Sequence, residues 1–278
     1  MIHIATVHFQ SDQWIQTQLA FLRKHIASPF RVYAWLNDVP PVPADTFYYC
    51  CSQPVMPHAI KLNLLADLIY FDSNRDDDII IFLDGDAFPI GDLEPFLREK
   101  LKTHKLIAIQ RLENDGDIQP HPCFCATTVG FWRSLKGDWS EGYRWRNRSG
   151  VATTDVGGNL LKLLNDNGIE WHPILRSGGL TAHSVLFGIY GGLIYHHGAG
   201  FRSPVTRDDM ADMKIGWLDK VRAIFPSRAE RVTRRRMRRK VGAANQILSE
   251  QIFKQIQENP GLFEKYVSAQ PLIPEQQK

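Results

Sequence analysis

Cysteine is scarce in this chain, with four residues in 278. Cys50 and Cys51 are adjacent, and His121, Cys123 and Cys125 have no second ligand pair downstream. That usage gives neither a disulfide framework nor a zinc module, and it fits a reducing, cytoplasmic setting. No apolar run reaches the roughly 18 residues that a membrane-spanning helix needs. The opening residues, Met1-Ile2-His3-Ile4-Ala5-Thr6-Val7, lack the basic start and apolar core of a secretory signal and read as a first strand. Neither sign of charge dominates: 33 Lys and Arg stand against 30 Asp and Glu, and the total of +3 is unremarkable. There is no internal repeat and no low-complexity tract. What remains is an enzyme-sized globular chain, 44% hydrophobic and 23% charged. A chain of this length buries about three quarters of its unfolded surface.

The chain is organised around 79–90. Ile79, Ile80, Ile81, Phe82 and Leu83 are apolar without a break, so both faces of this segment call for burial. That is the pattern of a central strand in a mainly parallel sheet covered by helices. The run stops at Asp84-Gly85-Asp86. Packing does not explain two carboxylates there, because a buried ion costs several kcal/mol unless it is paired. The carboxyl ends of strands are where open α/β sheets bind ligands. Residues i and i+2 of an extended chain point the same way, so Asp84 and Asp86 can converge on one hard cation. Gly85 between them leaves room for a close approach to the backbone.

The surrounding pattern alternates strand and helix. Strands are expected at 2–9 and 30–36, helices at 14–25 and after Pro57, and a short extended piece at 46–50. The helix after Pro57 carries Ile60, Leu64, Leu65, Leu68 and Ile69 at helical spacing. Beyond the central strand come a helix at 92–104, a strand at 106–109, a loop at 113–122 and a strand at 124–132. A stretch with Trp139, Tyr143 and Trp145 among Arg144, Arg146 and Arg148 reads either as a sugar- and phosphate-binding surface or as a helix with its aromatic side on the core. Thr154 or Asp155 begins a helix, a strand follows at 170–175, and short apolar segments lie at 185–189 and 193–197. The fold class is therefore α/β, doubly wound and three-layered.

An apolar strand ending in Asp-x-Asp resembles the metal site of GT-A glycosyltransferases. The resemblance covers roughly residues 1–205 and implies a mixed, mainly parallel Rossmann-like sheet. It implies that Asp84 and Asp86 hold Mn²⁺ or Mg²⁺ against the diphosphate of a nucleotide-sugar, with a UDP-sugar favoured. It places Thr6, His8, Asn37, Asp38 and Lys61 near the donor, together with Asp84, Gly85 and Asp86. Asp155 matches the acidic residue at the start of the helix after the floor strand. A carboxylate there is a general base or an acceptor ligand in members of this group. The segment His197-Gly198-Ala199-Gly200-Phe201-Arg202 is similar to a C-terminal His-x-x-Gly element. His197 would then complete the metal shell, with His196 the alternative if the register shifts, and Arg202 would neutralise the leaving diphosphate. The implied partners are a nucleotide-sugar donor and a glycan or lipid-linked acceptor.

Eight of the 33 basic residues and one acid, Glu230, lie between Arg228 and Lys240, so the rest of the chain has an acid excess of four. A basic helix of this kind suits anionic lipid headgroups, a solvated surface or, least of the three, nucleic acid. Residues 1–207 read as the nucleotide-sugar-binding catalytic domain, and 208–278 as a helical extension that gives a cytoplasmic, peripheral membrane protein. Two alternatives stand beside the glycosyltransferase. A sugar nucleotidylyltransferase would want a glycine-rich phosphate loop, and residues 6–14 contain no glycine. A nucleic-acid- or membrane-binding module would act through the basic segment alone.

Overall fold

The computed structural model describes residues 1–177, 182–200, 228–259 and 261–267, and for 228–234, 237 and 265 the backbone alone. The N-terminal half runs β1 (Ile2–Phe9), α1 (Ile15–His25), β2 (Phe30–Asn37), β3 (Tyr49–Cys51), α2 (His58–Asp72), β4 (Ile79–Asp84) and β5 (Ala87–Pro89). Then follow α3 (Leu93–Lys100), β6 (Leu106–Ile109), β7 (His121–Thr128), α4 (Val129–Leu135), β8 (Trp145–Arg146), β9 (Ala152–Thr153) and α5 (Gly158–Asp166). The last elements are β10 (His172–Ile174), β11 (Gly188–Tyr190), β12 (Ile194–His196) and α6 (Arg228–Glu258).

Seven strands form the main sheet in the order β10-β6-β7-β4-β1-β2-β3. The apolar run 79–83 lies in β4 at its centre, between β7 and β1, and all five residues are buried. β1, β2, β3 and β4 run parallel, and β7 alone is antiparallel to its neighbours. The fold is thus a mixed, mainly parallel three-layer sandwich. Ile4, Ile81 and Leu83 on one face of the sheet meet Ile15, Leu19 and Leu22 of α1. Ala5, Ile80 and Phe82 on the other meet Leu62, Leu65 and Ile69 of α2.

A second sheet, β11-β12-β5, is antiparallel, and β5 follows the Asp-x-Asp turn directly. Asp86 therefore stands where the chain passes from the large sheet to the small one. Behind the small sheet lies a third apolar cluster that joins Trp14, Phe88, Phe187 and Tyr195 to Ile252 and Ile256 of α6. Residues 208–227 of the expected helical extension lie outside the described residues.

Three local expectations change. The strand at 124–132 ends at Thr128, whose hydroxyl accepts the Phe131 N–H at 3.2 Å and caps α4; Ser or Thr in that role terminates extended structure. The aromatic-and-arginine stretch is no sugar platform. Trp139 and Trp145 are buried, Trp139 lies edge-on to Phe82 at 5.0 Å, and the three arginines face solvent. In α2 the buried face is rotated from the one expected: Ile60 and Leu64 are each 44% exposed, while Lys61 is 3% exposed. That helix is apolar nearly all round, so periodicity does not select its inner face.

Candidate active site

β1, β2 and β4 end at one edge, with Val7 beside Asp84 and Phe9 beside Asn37. Asp84 closes β4, and Asp86 precedes β5. The antiparallel pairing of β5 with β12 sets Ala87 opposite His196. This register brings His196 Nε2 to 3.6 Å from Asp84 Oδ2 and 3.5 Å from Asp86 Oδ1. The three donor atoms lie within 4.8 Å of one another. Each carboxylate has its other oxygen held from outside. His58 Nε2 lies 3.2 Å from Asp84 Oδ1, and the Gly200 N–H donates to Asp86 Oδ2 at 3.0 Å. Outer partners of this kind fix the orientation of metal-ligating carboxylates. Two hard oxygens and an imidazole nitrogen converging on one point form a candidate donor set for Mn²⁺ or Mg²⁺.

Burial alone would push the Asp84 carboxyl up. The hydrogen bond and charge of His58, with His196 and His121 nearby, outweigh it and hold Asp84 well below the usual carboxylate range. Asp84 is therefore ionised, as a cation ligand must be.

His197 is not the third ligand. Side chains alternate along a strand, and His197 shares the opposite face with Tyr195. Its Nδ1 meets the Tyr195 hydroxyl at 2.8 Å and its Nε2 the Ser249 hydroxyl at 2.7 Å. Trp14 and Phe187 pack on its ring, at 4.5 and 4.7 Å between centroids. Burial lowers its pKa to about 3. His197 thus ties α6 to the strand that carries His196.

The other residues expected at the donor divide into two groups. Thr6 is fully buried and donates to Gln18 Oε1 at 3.2 Å. Gln18 Nε2 in turn donates to the carbonyls of Asp84 and Ala87, each at 2.8 Å, and so locks the turn between the two sheets. His8 is also fully buried, with its pKa lowered to about 4 by burial. It lies under Gly85, where an added Cβ would be 2.6 Å from His8 Nδ1 and 2.7 Å from the Val7 carbonyl. The close approach that Gly85 permits is therefore by the protein itself. Gly85→Ala is expected to lower stability by about 1–3 kcal/mol through overpacking, read from a urea melt; an unchanged midpoint would refute this account.

Asn37, Asp38 and Lys61 do line the edge. Asp38 leaves β2 in the left-handed region at φ 55°, exposed, with Asn37 Nδ2 donating to its carboxylate at 3.0 Å. Lys61 Nζ lies 5.8 Å from the centre of the Phe9 ring. Burial lowers its pKa, and Asp38 partly opposes that shift. Asp155 is exposed and accepts the Val156 N–H at 2.8 Å. Among the described residues no hydrogen bond or ion pair joins it to Asp84, Asp86 or His196. The N-cap of α5 is Gly157, not Asp155. Arg202 lies outside the described residues. Sequence reasoning missed His58, His121 and Gln18. Gln18 alone left a signal, as a polar residue beside Ile15, Leu19 and Leu22 on the inner face of α1.

No protein-family model matches the chain, and no curated protein is similar to it in sequence. Among solved structures, the glycosyltransferase GlyE of Streptococcus pneumoniae TIGR4 in its apo form is 15% identical over 48% of this chain and 35% of that one, with a TM-score of 0.35. The chain thus spans about a third of that enzyme's length. The galactosyltransferase LgtC, complexed with donor and acceptor sugar analogues, is 12% identical over 62% of this chain and 73% of that one, with a TM-score of 0.38. The mannosyltransferase PcManGT of Pyrobaculum calidifontis, complexed with GDP-Man and Mn²⁺, is 10% identical over 62% of this chain and 54% of that one, with a TM-score of 0.41. These neighbours are glycosyltransferases. The overlap is partial and distant, so the functional reading rests on the side chains of this protein.

Proposed function

We propose that this protein is a divalent-metal-dependent glycosyltransferase. It moves a sugar from a nucleotide-diphosphate donor, a UDP-sugar first among them, to a glycan or lipid-linked acceptor. One observation carries the reading: at the carboxyl edge of the central strand, two carboxylates each turn one oxygen to His196 and have the other oxygen held in place. Asp84, Asp86 and His196 would hold Mn²⁺ or Mg²⁺, and the bound ion supplies Lewis-acid stabilisation to a leaving diphosphate. Lys61 is a buried cation with no hydrogen-bond partner among the described residues, at the strand edge where a donor phosphate would satisfy it. Asn37 and Asp38, at the end of β2, suit the ribose and base. Asp155 as acceptor carboxylate and Arg202 as leaving-group cation follow from their order along the chain. On the same basis residues 1–207 form the catalytic unit and 208–278 an extension.

The test is a thermal-shift panel of UDP-, GDP-, CMP- and dTDP-sugars, each with Mn²⁺ and with EDTA. One nucleotide class is expected to stabilise the protein by about 2.7 kcal/mol at a hundredfold excess over its dissociation constant, and only with metal. A flat panel would sink the proposal.

A further inference from the structure

The basic segment of α6 has no role in the site just described. Arg235, Arg236, Arg238, Arg239 and Lys240 are all exposed, and among the described residues none of them makes a hydrogen bond or an ion pair. Their spacing brings like charges together: Arg235 with Arg238 and Arg239, and Arg236 with Arg239 and Lys240, lie three or four residues apart. Such pairs destabilise a helix. A local choice that works against its own element marks a functional surface.

The composition narrows the partner. Residues 228–240 contain no aromatic residue, no Asn and no Gln, so the segment has neither a stacking platform nor a base-edge reader. It is also too poor in apolar residues to embed as an amphipathic helix. What it offers is a row of fixed positive charges, which the phosphates of an anionic headgroup surface attract. The remainder of the chain has an acid excess of four. A negatively charged surface therefore attracts this end of the molecule and repels the rest.

We propose that α6 docks the protein on the headgroup phosphates of an anionic bilayer, by charge and without insertion. The same helix is fastened to the strand of His196: Ser249 meets His197, Gln257 Nε2 donates to Thr17, and Ile252 and Ile256 fill the cluster behind the small sheet. Docking through 235–240 would thus hold the carboxyl edge at a fixed distance from the lipid. The proposal does not depend on the catalytic reading, because its test uses no sugar.

The experiment is flotation of the full-length chain with vesicles of phosphatidylcholine alone, or of phosphatidylcholine and phosphatidylglycerol in equal parts. Binding is expected only to the anionic vesicles. It should fall as salt is raised from about 0.1 M to about 1 M, where the screening length shrinks from about 10 Å to about 3 Å. A triple Arg235→Gln, Arg238→Gln, Arg239→Gln variant should lose about a hundredfold in partition, at the usual contribution of one basic residue near such a surface. The matching triple Arg→Lys variant should retain binding, and circular dichroism should be unchanged in both. Equal binding to both vesicles, salt-insensitive binding, or undiminished binding of the glutamine variant would overturn the proposal. So would tighter binding to duplex DNA than to the anionic vesicles at one salt concentration, which would assign the surface to nucleic acid.

Discussion

If the proposed function holds, Asp86→Asn is expected to abolish metal-dependent donor binding and to lower kcat/KM by about a thousandfold, the scale on which a Lewis-acid ion stabilises developing charge. The substitution keeps an amide oxygen to accept the Gly200 N–H, now made by Asp86 Oδ2 at 3.0 Å. The loop behind the site therefore stays in place, and the melting temperature changes little. What is lost is the charge that turns toward His196 at 3.5 Å. Manganese titration followed by electron paramagnetic resonance separates the two effects. The wild type should remove the free-ion signal, while the variant should leave it. His196→Ala should behave the same way. His197→Ala should instead lower stability, because it leaves the Tyr195 and Ser249 hydroxyls without their partner and opens a gap between Trp14 and Phe187. If His197→Ala bound no metal while remaining as stable as wild type, the assignment of His196 would be wrong.

The fold should also lose stability in mild acid, before its carboxylates titrate. Burial lowers His8 from 6.5 to about 4 and His197 from 6.5 to about 3. The unfolded chain takes up these protons near pH 6.5, while the folded chain stays neutral until the lower value. Unfolding therefore gains protons as pH falls through this window, and stability declines with it. For His8 alone the loss is about 3 kcal/mol once pH 4 is reached, at 1.36 kcal/mol per pKa unit. That is a large share of the roughly 5–15 kcal/mol of a typical domain. Glu94, lowered to about 2 by Ser28 and Arg98 against the pull of burial, adds its loss only below its ordinary 4.5. Urea midpoints at pH 7.5 and pH 5 should differ clearly, and a His8→Gln variant should flatten the dependence. Identical midpoints in the wild type at the two pH values would refute it.

The parts of this molecule that were legible in its sequence are those where one physical demand acts alone. Five apolar residues in a row require a strand buried on both faces, and two carboxylates at its end require a reason other than packing. Hence β4 and its terminal Asp84 and Asp86 could be read directly, as could β1 at Ile2–Phe9. His196 and His197 could not be separated, because β12 is buried on both sides and hydrophobic alternation marks neither. His58 opens α2 and looks like any polar helix start; only the tertiary fold brings it to Asp84. Trp139 and Trp145 sit among arginines in the chain, yet only the tryptophans turn inward. Asp155 resembles a cap by position, but the chain turns through Gly157 at φ 100° before α5 begins.

The reversed direction of β7 decides which connecting segment borders Asp84. Its neighbour β4 delivers residues to the working edge as it leaves the sheet, whereas β7 delivers His121 to that edge as it arrives. The wall beside Asp84 is therefore set by the loop that leads into a strand, residues 110–120. Arg111, Asp117 and Gln119 of that loop are buried, and Glu113 accepts the Tyr190 hydroxyl, so the loop is packed against the fold. A change in that loop would therefore alter the wall beside Asp84 while leaving the residues of β4 in place.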